Sequence, residues 1–184
     1  LIDLFYLIVG LGFLLSLGIQ AWLKNTYARW SRVRNSREAS GFAVARHILD
    51  VNGLQQVDIQ SLPGALTDHY DPRTLRVSLS SRIYTEPSIA SAAIAAHECG
   101  HALQDKDDYR PMRFRARVLP LAQLGAQYGP WTVMGGFLLG LPLLVQVGFV
   151  MYALALAFQL LSLPIEFDAS KRALGELEEA GINS

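Results

Sequence analysis

The sequence predicts an α-rich α+β membrane protein, with a small polar domain packed on transmembrane helices. Two long stretches without a charged side chain indicate the membrane part, and periodic patterns between them indicate helices and short strands. Only 17% of the residues are charged, whereas an ordinary soluble domain carries about 25%. The formal net charge is zero, so the overall charge predicts no nucleic-acid partner.

The first uncharged stretch is Leu4–Leu23, and its 20 residues are enough for one membrane crossing. A secretory signal would need a basic start and a small-residue cleavage site, and neither is present here. Trp22 suits the membrane interface at the end of the stretch. Residues 1–23 are therefore predicted to form a retained transmembrane span.

The second uncharged stretch is a run of 48 residues between Arg117 and Glu166. As a single helix it would extend roughly 70 Å, more than twice the hydrocarbon core of a bilayer. Gly140-Leu141-Pro142 provides a break. A transmembrane hairpin over 118–165 is therefore predicted, with crossings near 119–139 and 143–163. The alternative, a buried hairpin of a soluble protein, would normally retain a polar face.

The basic residues predict the orientation of these spans. All 16 Lys and Arg residues lie within 24–117 or at 171–172. The positive-inside rule therefore places 24–117 in the cytoplasm, and the N-terminus and the Gly140 turn outside a bacterial-type cell membrane. The single cysteine, Cys99, fits a reducing compartment.

The polar part of the chain shows helix caps and alternating apolar residues. In chain order, they predict a helix from Ser40 to Asn52 ended by Gly53, strands at Val57–Ile59 and Leu75–Leu79 with a turn at Asp71-Pro72, a helix from Pro87 to Gln104, and a helix from Pro164 to Gly181. The domain over 24–117 is therefore expected to mix helices with a small sheet.

The sequence HECGH at 97–101 carries the chemistry. His97 and His101 are four residues apart, so on a helix both rings lie on one face and can reach one metal ion. Glu98 lies beside them and can take a proton from a metal-bound water. Zinc lowers the pKa of such a water to about 7, which makes it a nucleophile at neutral pH.

A catalytic zinc site needs a third protein ligand and one open position. The motif continues as Ala102-Leu103-Gln104, which excludes the metzincin pattern. Glu166 is the best candidate, because two crossings return the chain to the face that carries the histidines. Asp168 points roughly 200° away from Glu166 on a helix. One zinc ion is therefore expected on His97, His101 and Glu166, in a gluzincin-like arrangement.

Three motifs, TDHYDP at 67–72, AAHECGHALQ at 95–104 and LPIEFDAS at 163–170, together resemble the YugP-like membrane zinc metallopeptidases, zinc peptidase family 2. The resemblance covers essentially the whole chain. It implies a small zincin-like cytoplasmic domain, with His97, His101 and Glu166 as zinc ligands and Glu98 as the catalyst. The layout is also similar to the HtpX-type peptidases, where aspartate takes the place of Ser170. Members usually extend further, so the chain is expected to continue past residue 184.

Several residues near these motifs have two possible roles. His69 and Tyr70 are candidates for contacts with the oxyanion or the substrate, whereas Asp68 and His69 can equally organise the turn before a strand. Leu75–Ser80 is either an edge strand that pairs with an extended peptide or an internal strand.

The remaining candidates are expected to have structural roles. Arg113, Arg115 and Arg117 are interpreted as lipid-facing anchors in preference to contacts for acidic substrates. Cys99 lies about 200° around the helix from His97 and is predicted to pack in the core. His47 is expected to be an ordinary surface or packing residue.

The predicted function is peptide-bond hydrolysis by a membrane-embedded zinc endopeptidase. Glu166 lies within three residues of the last span, so the site should be near the membrane surface and act on membrane or membrane-proximal proteins. The alternative is a non-catalytic membrane scaffold or assembly subunit with a structural zinc. Such a site would more often close with a fourth Cys or His ligand, and the sequence offers none.

Overall fold

The computed structural model describes residues 2–65 and 67–182, with side chains of the first helix described from residue 11 onward. The elements are α1 (Ile2–Trp30), α2 (Gly41–Val51), β1 (Asp58–Leu62), β2 (His69–Asp71), β3 (Arg76–Ser80), α3 (Ser81–Thr85), α4 (Ile89–Lys106), α5 (Arg110–Leu138) and α6 (Pro142–Glu179). The chain is thus a helix-rich α+β protein, as predicted.

The three strands form one sheet in the order β1-β3-β2. β3 pairs in parallel with β1 and antiparallel with β2. Of the two roles considered for Leu75–Ser80, the segment therefore forms an internal strand and not an edge strand. β2 has only three residues, too few for the alternation that predicted β1 and β3, and it was not foreseen. β2 lies at the edge of the sheet that contacts α4.

The core of the polar domain lies between the sheet, α2 and α4. The hydroxyl of Ser40 accepts a hydrogen bond from the N–H of Ala43 at the start of α2, as the sequence predicts. Gly53 follows the helix with φ at +72°, a conformation that favours glycine. The fully buried side chains in this core include Ile48, Leu49, Val77, Leu79 and Cys99.

α5 and α6 form the predicted hairpin, with Gly140 at φ +64° in the turn. The prediction of a separate helix starting at Pro164 is wrong, because α6 continues through Pro164 to Glu179. A proline within a helix removes one backbone hydrogen bond and costs about 3 kcal/mol. The packing of α6 against both α4 and α5 offsets this cost, so Glu166 lies in the middle of a helix.

The outer surface of the hairpin is apolar and exposed. Within the described residues, α6 is the one helix long and apolar enough to cross a membrane. Only 11% of its most apolar 18-residue segment is buried. A core helix of a soluble protein would be mostly buried. Exposed apolar residues of α5 include Leu121, Trp131, Phe137 and Leu138. The predicted span Leu4–Leu23 lies within α1, but the side chains of residues 4–10 lie outside the described part.

Candidate metal centre

The candidate metal centre forms where α4 packs against α6. The hydroxyl of Ser88 accepts a hydrogen bond from the N–H of Ser91 and caps α4. His97 and His101 follow on one face of this helix, and Glu166 reaches them from α6. The site therefore depends on close contact between two helices that are far apart in sequence.

Small residues at the crossing permit this contact. A Cβ atom placed on Gly100 would lie 2.4 Å from the carbonyl oxygen of Ala169. That distance is a clash with backbone, which a side chain cannot relieve by rotating. Glycine at position 100 therefore sets the separation of α4 and α6. It lies directly before His101 and packs next to the residues that follow Glu166.

We expect Gly100→Ala to destabilise the protein and weaken zinc binding, because α4 must move away from α6 and take both histidines with it. Overpacking of this kind typically costs about 1–3 kcal/mol. Gly175→Ala on α6 is the matched control, since a Cβ atom placed there would meet no described neighbour within 4 Å. Alanine there should gain up to about 1 kcal/mol of helix propensity. Thermal unfolding and zinc titration of both variants test this; equal behaviour would contradict it.

The three side chains present their ligand atoms to one point. Nε2 of His97 lies 3.1 Å from Oε2 of Glu166, and Nε2 of His101 lies 3.4 Å from the same oxygen. Ligand atoms on a tetrahedral zinc at 2.0–2.1 Å lie about 3.3 Å apart. Two nitrogens and a carboxylate oxygen are also the donors of many catalytic zinc sites. The residues present thus fit one zinc ion.

The electrostatics of the site favour a charged carboxylate. Hydrogen bonds from His101 and His97 hold the pKa of Glu166 well below its usual range, and Arg115 adds to the effect. Burial alone lowers the pKa of His101, but its hydrogen bonds with Glu166 and Gln104 outweigh burial and leave the pKa raised. Glu166 is therefore held in the ionised form that a metal ligand requires.

Each histidine has a second partner that orients its ring. Nδ1 of His97 lies 3.1 Å from the hydroxyl of Ser170, the serine at the position where the HtpX-type peptidases have aspartate. Nδ1 of His101 lies 3.0 Å from Oε1 of Gln104. An amide oxygen can only accept a hydrogen bond, so Nδ1 is the donor. A proton on His101 is therefore held at Nδ1, so Nε2, which faces Glu166, is the nitrogen that can bind a metal.

Gln104 connects this histidine to α6. Its side chain is completely buried, and its Nε2 donates to the carbonyl oxygen of Ile165 and to Oδ2 of Asp168, both at 2.8 Å. Asp168 also accepts from Nε of Arg172 at 2.8 Å. Asp168 therefore supports His101 through Gln104 and lies away from the ligand atoms.

Arg115 is a site residue that was not predicted. One of its guanidinium nitrogens lies 2.6 Å from Oε1 of Glu166, the oxygen that does not face the histidines. The spacing of the arginines in the sequence already indicated that Arg115 differs from its neighbours. Arg113 and Arg117 are four apart and share one face of α5, so Arg115 points to the opposite face. The interpretation as a lipid-facing anchor is therefore wrong for Arg115.

Glu98 borders a cavity of about 620 Å³ that also contains the three candidate ligands. Its side chain is only 8% exposed. Burial raises the pKa of Glu98, although His101 and His97 act in the opposite direction. A carboxylate whose pKa is raised by burial is a better proton acceptor at neutral pH than an exposed one.

Asp68, His69 and Tyr70 line the same cavity. Asp68 accepts from the N–H of Ser80 at 2.7 Å and thereby holds the start of β2 to β3. The hydroxyl of Tyr70 donates to Oδ2 of Asp105 at 2.9 Å, so it is already engaged. Nδ1 of His69 donates to the carbonyl oxygen of Thr67. The three residues thus organise the loop and line the cavity at the same time.

The other candidate residues lie as the sequence indicated. Cys99 is 0% exposed within the core, and burial raises the pKa of its thiol. His47 is exposed on α2. Neither residue is among the described residues that line the cavity of the candidate metal centre.

Comparisons with known proteins identify a family and a similar protein. The family described as "Putative neutral zinc metallopeptidase" matches residues 5–184. The protein named "Putative membrane protease YugP" from Bacillus subtilis (strain 168) is 38% identical to the chain, and the match covers 100% of this chain and 84% of that protein. No solved structure matches the chain significantly.

Proposed function

The chain belongs to this family of neutral zinc metallopeptidases, and from this premise we propose that it is a membrane-embedded endopeptidase that hydrolyses membrane or membrane-proximal proteins. The family supports zinc and a protein substrate. The proposal of an endopeptidase rests on one observation. His97, His101 and Glu166 meet at one point, and Glu98 lies on the wall of the same cavity.

The proposed mechanism assigns a role to each of these side chains. His97, His101 and Glu166 would hold one zinc ion, which supplies a Lewis acid for the scissile carbonyl and acidifies a water molecule. Glu98 takes a proton from the attacking water and then delivers it to the amine nitrogen that leaves. Gln104 and Ser170 keep the histidine rings oriented, and Arg115 holds the outer oxygen of Glu166.

The edge strand β2 is the proposed support for the substrate backbone. It pairs with β3 on one side, and no described strand pairs with its other side. Residues 68–73, which include β2, line the cavity with Glu98. An extended peptide can add to such an edge by backbone hydrogen bonds, and this would bring its carbonyl groups to Glu98 and the metal ligands.

The proposal includes a site near the cytoplasmic surface of the membrane. Glu166 lies on the same helix as the apolar segment that suits a crossing. The relative from Bacillus subtilis carries "membrane protease" in its name. The arginines at the start of α5 and the end of α1 would lie in the cytoplasm by the positive-inside rule.

Hydrolysis of an unfolded protein tests the activity. We expect detergent-solubilised protein to cleave casein, to lose this activity with a metal chelator and to regain it when zinc is added back, because the zinc ligands come from the protein alone. Elemental analysis of the protein before and after chelation measures the metal. Zinc-loaded protein that never cleaves casein or any other unfolded protein would favour the scaffold alternative.

Cysteine labelling in intact cells tests the orientation. A maleimide that cannot cross the membrane should modify Leu141→Cys, at the exposed outer turn, and should spare Gln56→Cys, which is exposed on the polar domain. The unmodified protein is the blank, since Cys99 is fully buried. Both cysteines should react after the cells are permeabilised. Labelling of position 56 alone in intact cells would reverse the orientation.

A further inference from the structure

A second cavity, which we call the apolar groove, opens on the other side of His97 and Glu98. It has a volume of about 480 Å³ and lies between α4 and α6. Besides those two residues it shares Asp68 with the cavity that holds the candidate ligands. His97 and Glu98 therefore form a wall common to two spaces, one on each side of the site.

The two spaces differ in chemistry. Five apolar residues line most of the apolar groove: Ala93, Ile94, Ala173, Leu174 and Leu177. The other described lining residues are His97, Glu98 and Asp68 of the site and Ser170, whose hydroxyl contacts His97. The larger cavity is mixed, because charged and polar residues such as Asp71, Arg73 and Arg115 line it together with apolar ones such as Met112 and Leu119. A peptide that passes the site would thus meet an almost wholly apolar surface on one side and a mixed surface that carries charges on the other.

We propose that the apolar groove binds an uncharged, large apolar side chain of the substrate residue next to the scissile bond. This inference rests on the proposed endopeptidase function. Ligand pockets in proteins are concave, mostly apolar and about 300–1,000 Å³ in volume, so the groove has room for a large side chain. A charged side chain would lose its hydration along the apolar walls, which is costly. Of the two carboxylates in the groove, Asp68 already accepts hydrogen bonds from Ser80 and Glu98 is the proposed base.

The position of the groove favours a substrate over a permanent cover. Glu98 and His97 form one of its walls, so a segment or lipid seated there would contact the proposed base and a ligand. Leu174 is 62% exposed on α6, which leaves the groove accessible along one side. A substrate residue adjacent to the cleaved bond is the occupant that must lie against both of these side chains.

Ala93 offers a test that does not disturb the core. It is exposed on α4, one turn before His97, and lines the groove. We expect the native protein to cut beside Leu, Ile or Phe in casein and in a set of peptides that differ at one position. Ala93→Leu should reduce kcat/KM for the large residues roughly 10-fold or more and leave Ala-containing peptides little changed, because only the pocket volume changes.

Controls separate the possible failures. Ala43→Leu introduces the same side chain at an exposed position on α2 and should keep the native preference. Leu174→Ala should enlarge the groove and improve cleavage beside Trp, which provides a second test if Ala93→Leu folds poorly. Zinc-loaded protein without hydrolysis would overturn the endopeptidase function and this inference together. Hydrolysis whose preference is unchanged by both groove variants, or a native preference for charged residues there, would overturn the inference alone.

Discussion

Replacement of Glu98 by Gln is expected to abolish most of the peptidase activity while the zinc content stays at the native level. The amide keeps the shape of the side chain but cannot accept the proton from the attacking water. General-base catalysis typically contributes about 10²–10⁴-fold to the rate, so kcat should fall by at least this order. The three candidate ligands His97, His101 and Glu166 are unchanged, so zinc binding should persist.

Three measurements distinguish this result from a folding defect. Zinc titration and thermal unfolding should match the native protein, because Gln removes a buried carboxyl group whose pKa is raised by burial and adds no volume. Kinetics should show the loss in kcat with KM little changed. Glu178→Gln, an exposed carboxyl group on α6, is the matched control. Undiminished kcat in Glu98→Gln would contradict the mechanism.

Much of the fold was predictable because local patterns and tertiary packing agree. Ser40 and Gly53 predicted both ends of α2, since caps and positive φ depend on single residues. Alternation predicted β1 and β3. β2 was missed because three residues carry no period, and its position depends on the contact between Asp68 and Ser80 across the turn.

Pro164 shows where a local rule gives the wrong boundary. Proline favours the first turn of a helix, so a new helix was predicted there. In the structure α6 is continuous through it, because packing on α4 and α5 decides the path of the chain. The error left the position of Glu166 intact, since residues 166 and 170 share one face of a helix wherever that helix begins.

The three candidate ligands were predictable and their supports were not. His97 and His101 follow from spacing on one helix, and Glu166 follows from an even number of crossings. Gln104 is buried between the helices and bonds to His101, Ile165 and Asp168. Those contacts depend on how closely α4 and α6 approach, which Gly100 and Ala169 determine and no local pattern reports.

Glu166→Ala is expected to lower zinc affinity by orders of magnitude, and Asp168→Ala by much less. Oε2 of Glu166 lies within 3.4 Å of both histidine nitrogens, so the first change removes one of three protein ligands. Asp168 instead accepts from Gln104 and Arg172. Its loss loosens the partner of His101, which typically costs about 10–100-fold in metal affinity.

Competitive titration with a chromogenic zinc chelator gives both affinities on one scale. Glu166→Gln separates charge from geometry, because it retains an oxygen donor without the negative charge and should bind zinc more weakly than native but more tightly than Glu166→Ala. Asp168→Asn keeps an oxygen that can accept from Gln104 and should stay close to native. Thermal unfolding without metal shows whether the loss of the Arg115 ion pair destabilises the Glu166 variants. If Asp168→Ala loses more zinc affinity than Glu166→Ala, then Asp168 is the third ligand, and the orientation of α6 at the site differs from the one described.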